Sequence, residues 1–200
     1  MRVAAEINER ARGEMTPTIT FRPLTHEDLP MLHEWLSRPH IADWWGAQEA
    51  LAEIIDHYAP VIGGTSHVKC YIAFADDTPI GFIQSYVPAA DHSDGWWVDE
   101  HDPGVRGIDQ FLADADRLGQ GLGTAMIRAF VAMLFADPTV TRIQLDPSPD
   151  NARAIRAYEK AGFRAIREME TPDGRALLMY RDRTDIDPEF SDNVNGKTNA

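Results

Sequence analysis

A glycine-rich turn that runs into an apolar helix constrains the fold of this chain more than any other segment. The stretch RLGQGLGTAMIRAFV covers residues 117–131 and places glycines at positions 119, 121 and 123. Glycine lets backbone amides approach a ligand closely, and the start of the helix adds N–H groups without helical partners and the positive end of the helix dipole. A pyrophosphate would fit such a turn, whereas the alternative is a tight loop that binds nothing.

The spacing of apolar residues in the first half of the chain predicts an edge strand, two helices and a hairpin. Residues 18–22 alternate as an edge strand does, and Thr25 then caps a helix with Leu29, Leu32 and Trp35 at helical spacing. A second helix is predicted over residues 47–58. Two strands at 70–75 and 80–87 are joined by a turn at 76–79, which is typical of a hairpin.

The second half of the chain alternates strands and helices around the glycine turn. A strand at 105–112 leads into the turn, with Asp109 and Phe111 on one face and Ile108 and Leu112 on the other. A helix at 121–135, a strand at 140–145 and a helix at 151–161 follow, and Gly162 ends the last helix. Two further strands flank the turn at 172–174. The order β-α-α-β-β-β-α-β-α-β-β predicts an α/β protein, an α+β mixed sheet with helices on its faces.

Length and composition predict one domain with a polar segment at each end. The 200 residues are 44% hydrophobic, which suffices for a sizeable core over residues 18–181. Residues 1–17 are predicted to be a mobile N-terminal extension or a short docking helix. Translation could start at Met1 or at Met15. Residues 182–200 are rich in Asp, Asn, Thr and Ser, and are predicted to be a disordered tail.

Several functional classes are disfavoured by the composition. No window has the apolar length of a membrane span and residues 1–17 are too charged for a signal peptide, so a cytoplasmic protein without membrane contact is expected. Cys70 is the one cysteine, and the seven histidines form no metal-binding motif, so no metal is expected. The net charge of −13 argues against nucleic acid and favours either a cationic partner or simple solubility.

An acidic segment precedes the glycine turn. Residues 91–116 contain eight acidic residues and one basic residue, Arg106, beside Trp96 and Trp97. Carboxylates next to tryptophans suit a polyamine or an amino sugar, whose ammonium groups bind both charges and aromatic faces. A solvated acidic loop with half-buried tryptophans is the alternative.

Two side chains could perform chemistry. Asp109 lies in the middle of an otherwise apolar strand, so it either holds an amine and accepts its proton at a cleft or points inward to backbone amides. Tyr158 lies on the apolar face of the helix at 151–161, where its phenol could protonate a departing thiolate or could be an ordinary core tyrosine.

Four further positions are compatible with a ligand site or with packing. Trp45, with Trp44, could form a substrate wall or a corner between helices. Gln84 could contact a ligand or join two strands, and Asp146 ends a strand, where ligands collect in open sheets. Asp173 lies in a Pro-Asp-Gly sequence that ordinary turn chemistry explains.

Two motifs together resemble the acetyl-CoA-binding half of the GNAT N-acetyltransferase superfamily. They are LGQGLGT at 118–124 and the pattern Asn151-x-x-Ala154-x-x-x-Tyr158 followed by EKAGF. Additional stretches resemble the aminoglycoside 6′-N-acetyltransferases within it, over about residues 18–181. These stretches are EWL at 34–36, HIADWWG at 40–46, PIGFIQSY at 79–86, DGWW at 94–97, DPGVRGIDQ at 102–110 and DPSP at 146–149.

The resemblance implies a GNAT fold and direct acetyl transfer from acetyl-CoA to the 6′-amine of an aminoglycoside, which confers resistance. Asp109 would contact the amine-bearing ring and Tyr158 would protonate the thiolate. The acetyl-CoA site would comprise the strand before the turn, the turn itself and the last helix: Gln110, Phe111, Leu112, Ala113, Leu118, Gly119, Gln120, Gly121, Leu122, Gly123, Thr124, Asn151, Ala154 and Tyr158. The aminoglycoside site would comprise Trp45, Tyr58, Gln84, Asp94, Trp97, Asp109, Asp146 and Asp173.

Two positions depart from the family pattern. Leu118 stands where the superfamily often has Arg or Gln, so pyrophosphate binding would depend on backbone amides. Phe111 stands where the subgroup has Leu or Ser, which leaves the choice between amikacin and gentamicin open. The sequence also leaves open another amine acceptor, such as a siderophore hydroxylamine, a polyamine or a protein N-terminus, and a module that binds without catalysis. A monomer and a homodimer are both compatible with it.

Overall fold

The computed structural model describes residues 17–46, 50–90, 92 and 95–185. Its centre is a mixed seven-stranded sheet, as predicted, with the strand order β1-β2-β3-β4-β5-β7-β6. The strands are β1 (Ile19–Pro23), β2 (Lys69–Ala75), β3 (Thr78–Tyr86), β4 (Val105–Leu112), β5 (Arg142–Leu145), β6 (Arg164–Thr171) and β7 (Gly174–Asp182). The described residues include no helix long and apolar enough to span a bilayer.

Five helices of the described region cover the sheet. They are α1 (Leu29–Leu36), α2 (Pro39–Trp45), α3 (Leu51–Ile62), α4 (Leu122–Phe135) and α5 (Ala152–Lys160). The prediction did not include α2, because seven residues are too few for a helical period to be recognised; Pro39 in its first turn fits a helix start. Helix α3 also continues past the predicted end at Tyr58, through Pro60 to Ile62.

The sheet contains one parallel pair, β4 with β5, and α4 connects these two strands. Their pairing joins Val105–Gly107 to residues 142–144 and goes no further. Strand β4 continues to Leu112 along its other neighbour, the antiparallel β3. Its second half therefore separates from β5, and a gap opens in the middle of the sheet.

Alternation along β4 distributes its side chains between two cores, as predicted. Phe111 packs under the N-terminal helices with Leu32, Ile41 and Phe82. Ile108 faces the opposite side, in a core that includes Ile127, Phe130, Ile143 and Phe163. Asp109 thus points to the side of α1–α3, and Gln110 to the side of α4 and α5.

Tight turns and ion pairs fix the ends of the strands. Asp76 and Asp77 both have positive φ, +47° and +66°, as the two-residue hairpin turn between β2 and β3 requires. At the other end, the Asp182 carboxylate accepts hydrogen bonds from Arg142 and Arg164. Strand β7 ends at Asp182. The described region extends to residue 185, and residues 1–16 and 186–200 lie outside it.

Candidate active site

A cavity of about 1480 Å³ lies at the gap between β4 and β5. Strands β3 and β4 form its floor, the N-terminal helices α2 and α3 form one wall, and the glycine turn and α5 form the other. Strand ends of an open sheet meet at this place, where ligands of such sheets usually bind. The cavity therefore gathers segments from most of the chain into one site.

The glycine turn has the geometry of an anion site. Gly119 and Gly121 have φ of +74° and +85°, and a Cβ added at either position would meet no atom within 4 Å, so the backbone there faces open space. Gly121 is the N-cap of α4, no side chain caps this end, and the first turn contains no acidic residue. The first N–H groups of the helix and its positive dipole end are thus available to a phosphate group.

The second half of β4 presents backbone amides to the gap. The Ala113 N–H donates to the Ile80 carbonyl at 2.8 Å, which fixes the alternation of the antiparallel ladder. By that alternation, the N–H groups of Gln110 and Leu112 point away from β3 and towards the gap. They suit amide and thioester carbonyl oxygens of a pantetheine-like chain.

Two side chains of the N-terminal helices clamp the end of β4. His40 Nε2 lies 3.1 Å from the Leu112 carbonyl oxygen, and Arg38 donates to the Ala113 carbonyl at 2.8 Å and to Asp114 at 2.6 Å. Sequence reasoning missed these three contacts, each of which spans more than 70 residues. The spacing of apolar residues gives no signal for contacts between segments so far apart in the chain.

Tyr158 lies at the junction of β4 and α5. Its side chain is buried, and its hydroxyl accepts a hydrogen bond from Gln110 Nε2 at 2.6 Å. Burial raises the pKa of this phenol above its usual value of 10, although the bond from Gln110 opposes the shift. The hydroxyl therefore keeps its proton at neutral pH, as a general acid must.

Asp109 faces the cavity and is held by a side-chain amide. Gln84 Nε2 donates to the carboxylate at 2.9 Å, and the Cys70 thiol donates to Gln84 Oε1 at 3.5 Å. Gln84 was predicted either to contact a ligand or to join strands, and in the structure it bridges β2 and β4. Burial is the largest cause of the raised pKa of Asp109. A half-buried carboxylate whose hydrogen-bond partner is a neutral amide can take up a proton or bind a cation.

Asp146 adds a second carboxylate and Asp173 a third. The pKa of Asp146 is raised to about 8, first by burial, then by the charge of Asp109 and the charge of Asp173. Within the described part of the chain, none of the three forms an ion pair with a cationic side chain. A ligand with several ammonium groups would relieve this repulsion, so the geometry favours a polycation.

Aromatic side chains complete the cation end of the cavity. Trp45 lines it, while its ring packs edge-on against Phe111 with the ring centroids 5.0 Å apart, so it is both wall and packed corner. Trp97 Nε1 donates to the Tyr86 hydroxyl at 3.1 Å. The Tyr86 ring lies over Gly107, where an added Cβ would approach it to 2.2 Å. Tyr86 was not predicted to be a site residue, although it lies two positions after Gln84 and therefore on the same face of β3.

The cavity brings together most of the predicted residues, but three of them do not line it. Ala113 is buried, Leu122 packs in the core, and Gln120 Nε2 donates back to the Asp116 carbonyl at 2.5 Å. Asn151 lines the cavity, and its side chain also caps α5 through the Ala154 N–H. Asp94 lies outside the described residues. The other predicted residues that line the cavity are Trp45, Tyr58, Gln84, Trp97, Asp109, Gln110, Phe111, Leu112, Leu118, Gly119, Gly121, Gly123, Thr124, Asp146, Ala154, Tyr158 and Asp173.

Known proteins are similar to this chain in sequence and in fold. The family model described as an acetyltransferase (GNAT) domain matches residues 25–171. The chain belongs to the GNAT acetyltransferase family. The aminoglycoside N(6')-acetyltransferase type 1 of Klebsiella pneumoniae is 53% identical over 169 residues, which are 83% of this chain and 84% of that protein.

Solved structures extend the similarity to the fold. The aminoglycoside acetyltransferase AAC(6')-Ib, solved with coenzyme A and kanamycin, has a TM-score of 0.80 and 52% identity over 84% of this chain and 96% of that one. A complex of the same enzyme with ribostamycin and coenzyme A has a TM-score of 0.82 and 50% identity over 88% and 99%. The predicted GNAT fold is therefore confirmed.

Proposed function

We propose that this protein transfers the acetyl group of acetyl-CoA to the 6′-amine of aminoglycoside antibiotics and thereby confers resistance. The observation that supports this most is that one end of the cavity suits an anionic group and the other end suits cationic groups. The glycine turn and the start of α4 suit the anionic pyrophosphate of coenzyme A. Asp109, Asp146 and Asp173, beside aromatic walls, suit the ammonium groups of an aminoglycoside.

In the proposed mechanism, groups that line the cavity carry out the steps of a direct transfer. Backbone N–H groups of β4 polarise the thioester carbonyl and stabilise the charge that develops on its oxygen. Asp109 holds the reacting amine and is the candidate acceptor of its proton. The nitrogen lone pair forms the new C–N bond as the C–S bond breaks, and Tyr158 gives its proton to the departing sulfur. Both substrates must be bound together, so positioning contributes a large part of the rate.

The further expectations belong to the same proposal. The enzyme acts in the cytoplasm, where acetyl-CoA is made, as a monomer or a homodimer and without nucleic acid. Phe111 lines the cavity and packs against Trp45 and Phe82, so it is the first residue to vary when the drug range is studied.

A free-thiol assay with acetyl-CoA tests the proposal. Kanamycin and tobramycin are expected to release coenzyme A at a rate well above background, whereas spermidine and lysine are not. Release with spermidine or lysine alone would contradict the aminoglycoside assignment while leaving acetyl transfer intact. Binding of both substrates without any thiol release would contradict catalysis itself.

A further inference from the structure

We infer that Gln110 is a positioning residue that directs the proton of Tyr158 towards the sulfur of coenzyme A. The inference rests on the proposed function, because it needs a departing thiolate at this place. Gln110 lies on β4 and Tyr158 on α5, both line the cavity, and the 2.6 Å bond between Gln110 Nε2 and the phenol oxygen joins these two elements.

The polarity of this hydrogen bond decides where the phenol proton points. An amide NH₂ group can only donate, so the phenol oxygen accepts with a lone pair and its own O–H is left to point elsewhere. The Tyr158 side chain lines the cavity. With Gln110 on one side of the oxygen, the O–H can be directed into the cavity, where it can reach a sulfur.

The amide of Gln110 destabilises the fold at this position, which supports a functional reason for its presence. Gln110 Oε1 is buried and has no hydrogen-bond partner among the described residues. An unsatisfied buried carbonyl destabilises a fold, and an apolar side chain of similar size would avoid the penalty. Positions where a chain breaks such a rule are frequently functional.

Gln110 also acts after the proton has moved. When the C–S bond breaks, its electron pair stays on sulfur, the Tyr158 proton forms the S–H bond, and the phenol becomes a phenolate. The Gln110 N–H then donates to a charged oxygen, and such a bond is stronger than one to a neutral hydroxyl. The amide therefore stabilises the transition state more than the ground state, which is the condition for a rate effect.

A double-mutant cycle tests the inference with single-turnover rates of thiol release. Tyr158→Phe is expected to slow release about 100-fold. Gln110→Leu is expected to slow it about tenfold, with an unchanged KM for acetyl-CoA, because the lost bond acts in the transition state. In the Tyr158→Phe background, Gln110→Leu should add almost nothing. Gln110→Glu should be slower than Gln110→Leu, because the glutamate carboxylate would accept a hydrogen bond from the Tyr158 hydroxyl and turn its proton away from the sulfur.

A matched control is Gln144→Leu, which removes another buried amide from the adjacent strand β5, outside the cavity. Its rate should equal that of the native enzyme. Full activity of Gln110→Leu, or the same loss from it with and without the Tyr158→Phe substitution, would overturn the positioning role. Full activity of Tyr158→Phe would overturn the acid role as well. Failure of the proposed function is distinguishable, since the native enzyme would then release no thiol with any aminoglycoside.

Discussion

Asp28 and Asp146 are carboxylates of one small protein, yet their surroundings are opposite. Asp28 accepts hydrogen bonds from Arg22 at 2.7 and 2.8 Å and from the Thr25 hydroxyl at 2.7 Å, and Arg22 lowers its pKa to about 2. Asp146 lies in the cavity, where burial and the charge of Asp109 raise its pKa to about 8. The first carboxylate is satisfied by the fold itself, and the second is left for a ligand.

From this difference we predict that Asp28 serves the fold and that the cavity carboxylates serve ligand binding. Folding alone would favour the removal of a carboxylate whose pKa is raised, because its charged form costs free energy in the native state. The cavity retains three carboxylates within one site. We therefore expect opposite responses to substitution: loss of stability at Asp28, and loss of activity without loss of stability in the cavity.

The largest effect is expected from Asp109→Asn. The substitution removes the charge that holds the amine and the candidate proton acceptor, so kcat/KM for kanamycin should fall at least about 100-fold. Thermal unfolding should be unchanged or shifted upwards. Asp116→Asn makes the same charge change in the acidic segment but outside the cavity, and it should keep native kinetics. A large loss for both variants would mean that overall charge, not position, matters.

Asp28→Asn is expected to act on stability only. The network around Asp28 is charge-assisted, and its loss should lower the free energy of unfolding by about 2 kcal/mol at pH 7. The folded-state pKa is depressed, so the stabilisation is present above the unfolded value near 4 and disappears as pH falls through about 2. Urea denaturation at neutral and at strongly acidic pH measures this. A kcat that falls with stability intact would contradict the structural assignment.

Asp146→Asn should weaken drug binding in a pH-dependent way. At pH 7 the free cavity holds mostly protonated Asp146, since its pKa is about 8. A bound ammonium group favours the ionised form, so binding should release a proton, which calorimetry in buffers of different ionisation enthalpy detects. The variant should lose that release and about tenfold in affinity at pH 8. Relative to the native protein it should also gain stability as pH rises from about 4 to 8, because over this range the unfolded native sequence ionises Asp146 while the folded protein must keep a proton on it. An unchanged proton release would contradict the shifted pKa.

The smallest effect is expected at Cys70, which orients Gln84. Burial raises the pKa of the thiol to about 12, so it stays protonated and donates to Gln84 Oε1. Cys70→Val removes a weak donor and should raise the KM for kanamycin about twofold. Cys70→Ser keeps a hydrogen-bond donor, so its KM for kanamycin should equal that of the native enzyme. Equal KM values for the two variants would show that the thiol contributes packing alone.

Local patterns in the sequence sufficed to predict much of the fold, and most residues that they proposed for the site line one cavity. Strand β4 was predicted at its observed bounds because alternation needs only eight residues, and the glycine turn and Tyr158 belong to motifs that are continuous in sequence. Long-range contacts could not be predicted. The bond between Gln110 and Tyr158 spans 48 positions and that between His40 and Leu112 spans 72, so neither leaves a periodic signal. The pKa shifts also depend on burial, which only the assembled cavity creates.

The most direct test of the central claim uses two substrates that differ in one functional group. Neomycin has an amine at its 6′-position and paromomycin has a hydroxyl there, while their other amines are the same. We expect thiol release and a singly acetylated product with neomycin, and no acetylation of paromomycin, which should bind as a competitive inhibitor. Equal rates of acetylation for the two drugs would show that another amine is the acceptor and would contradict the assigned chemistry.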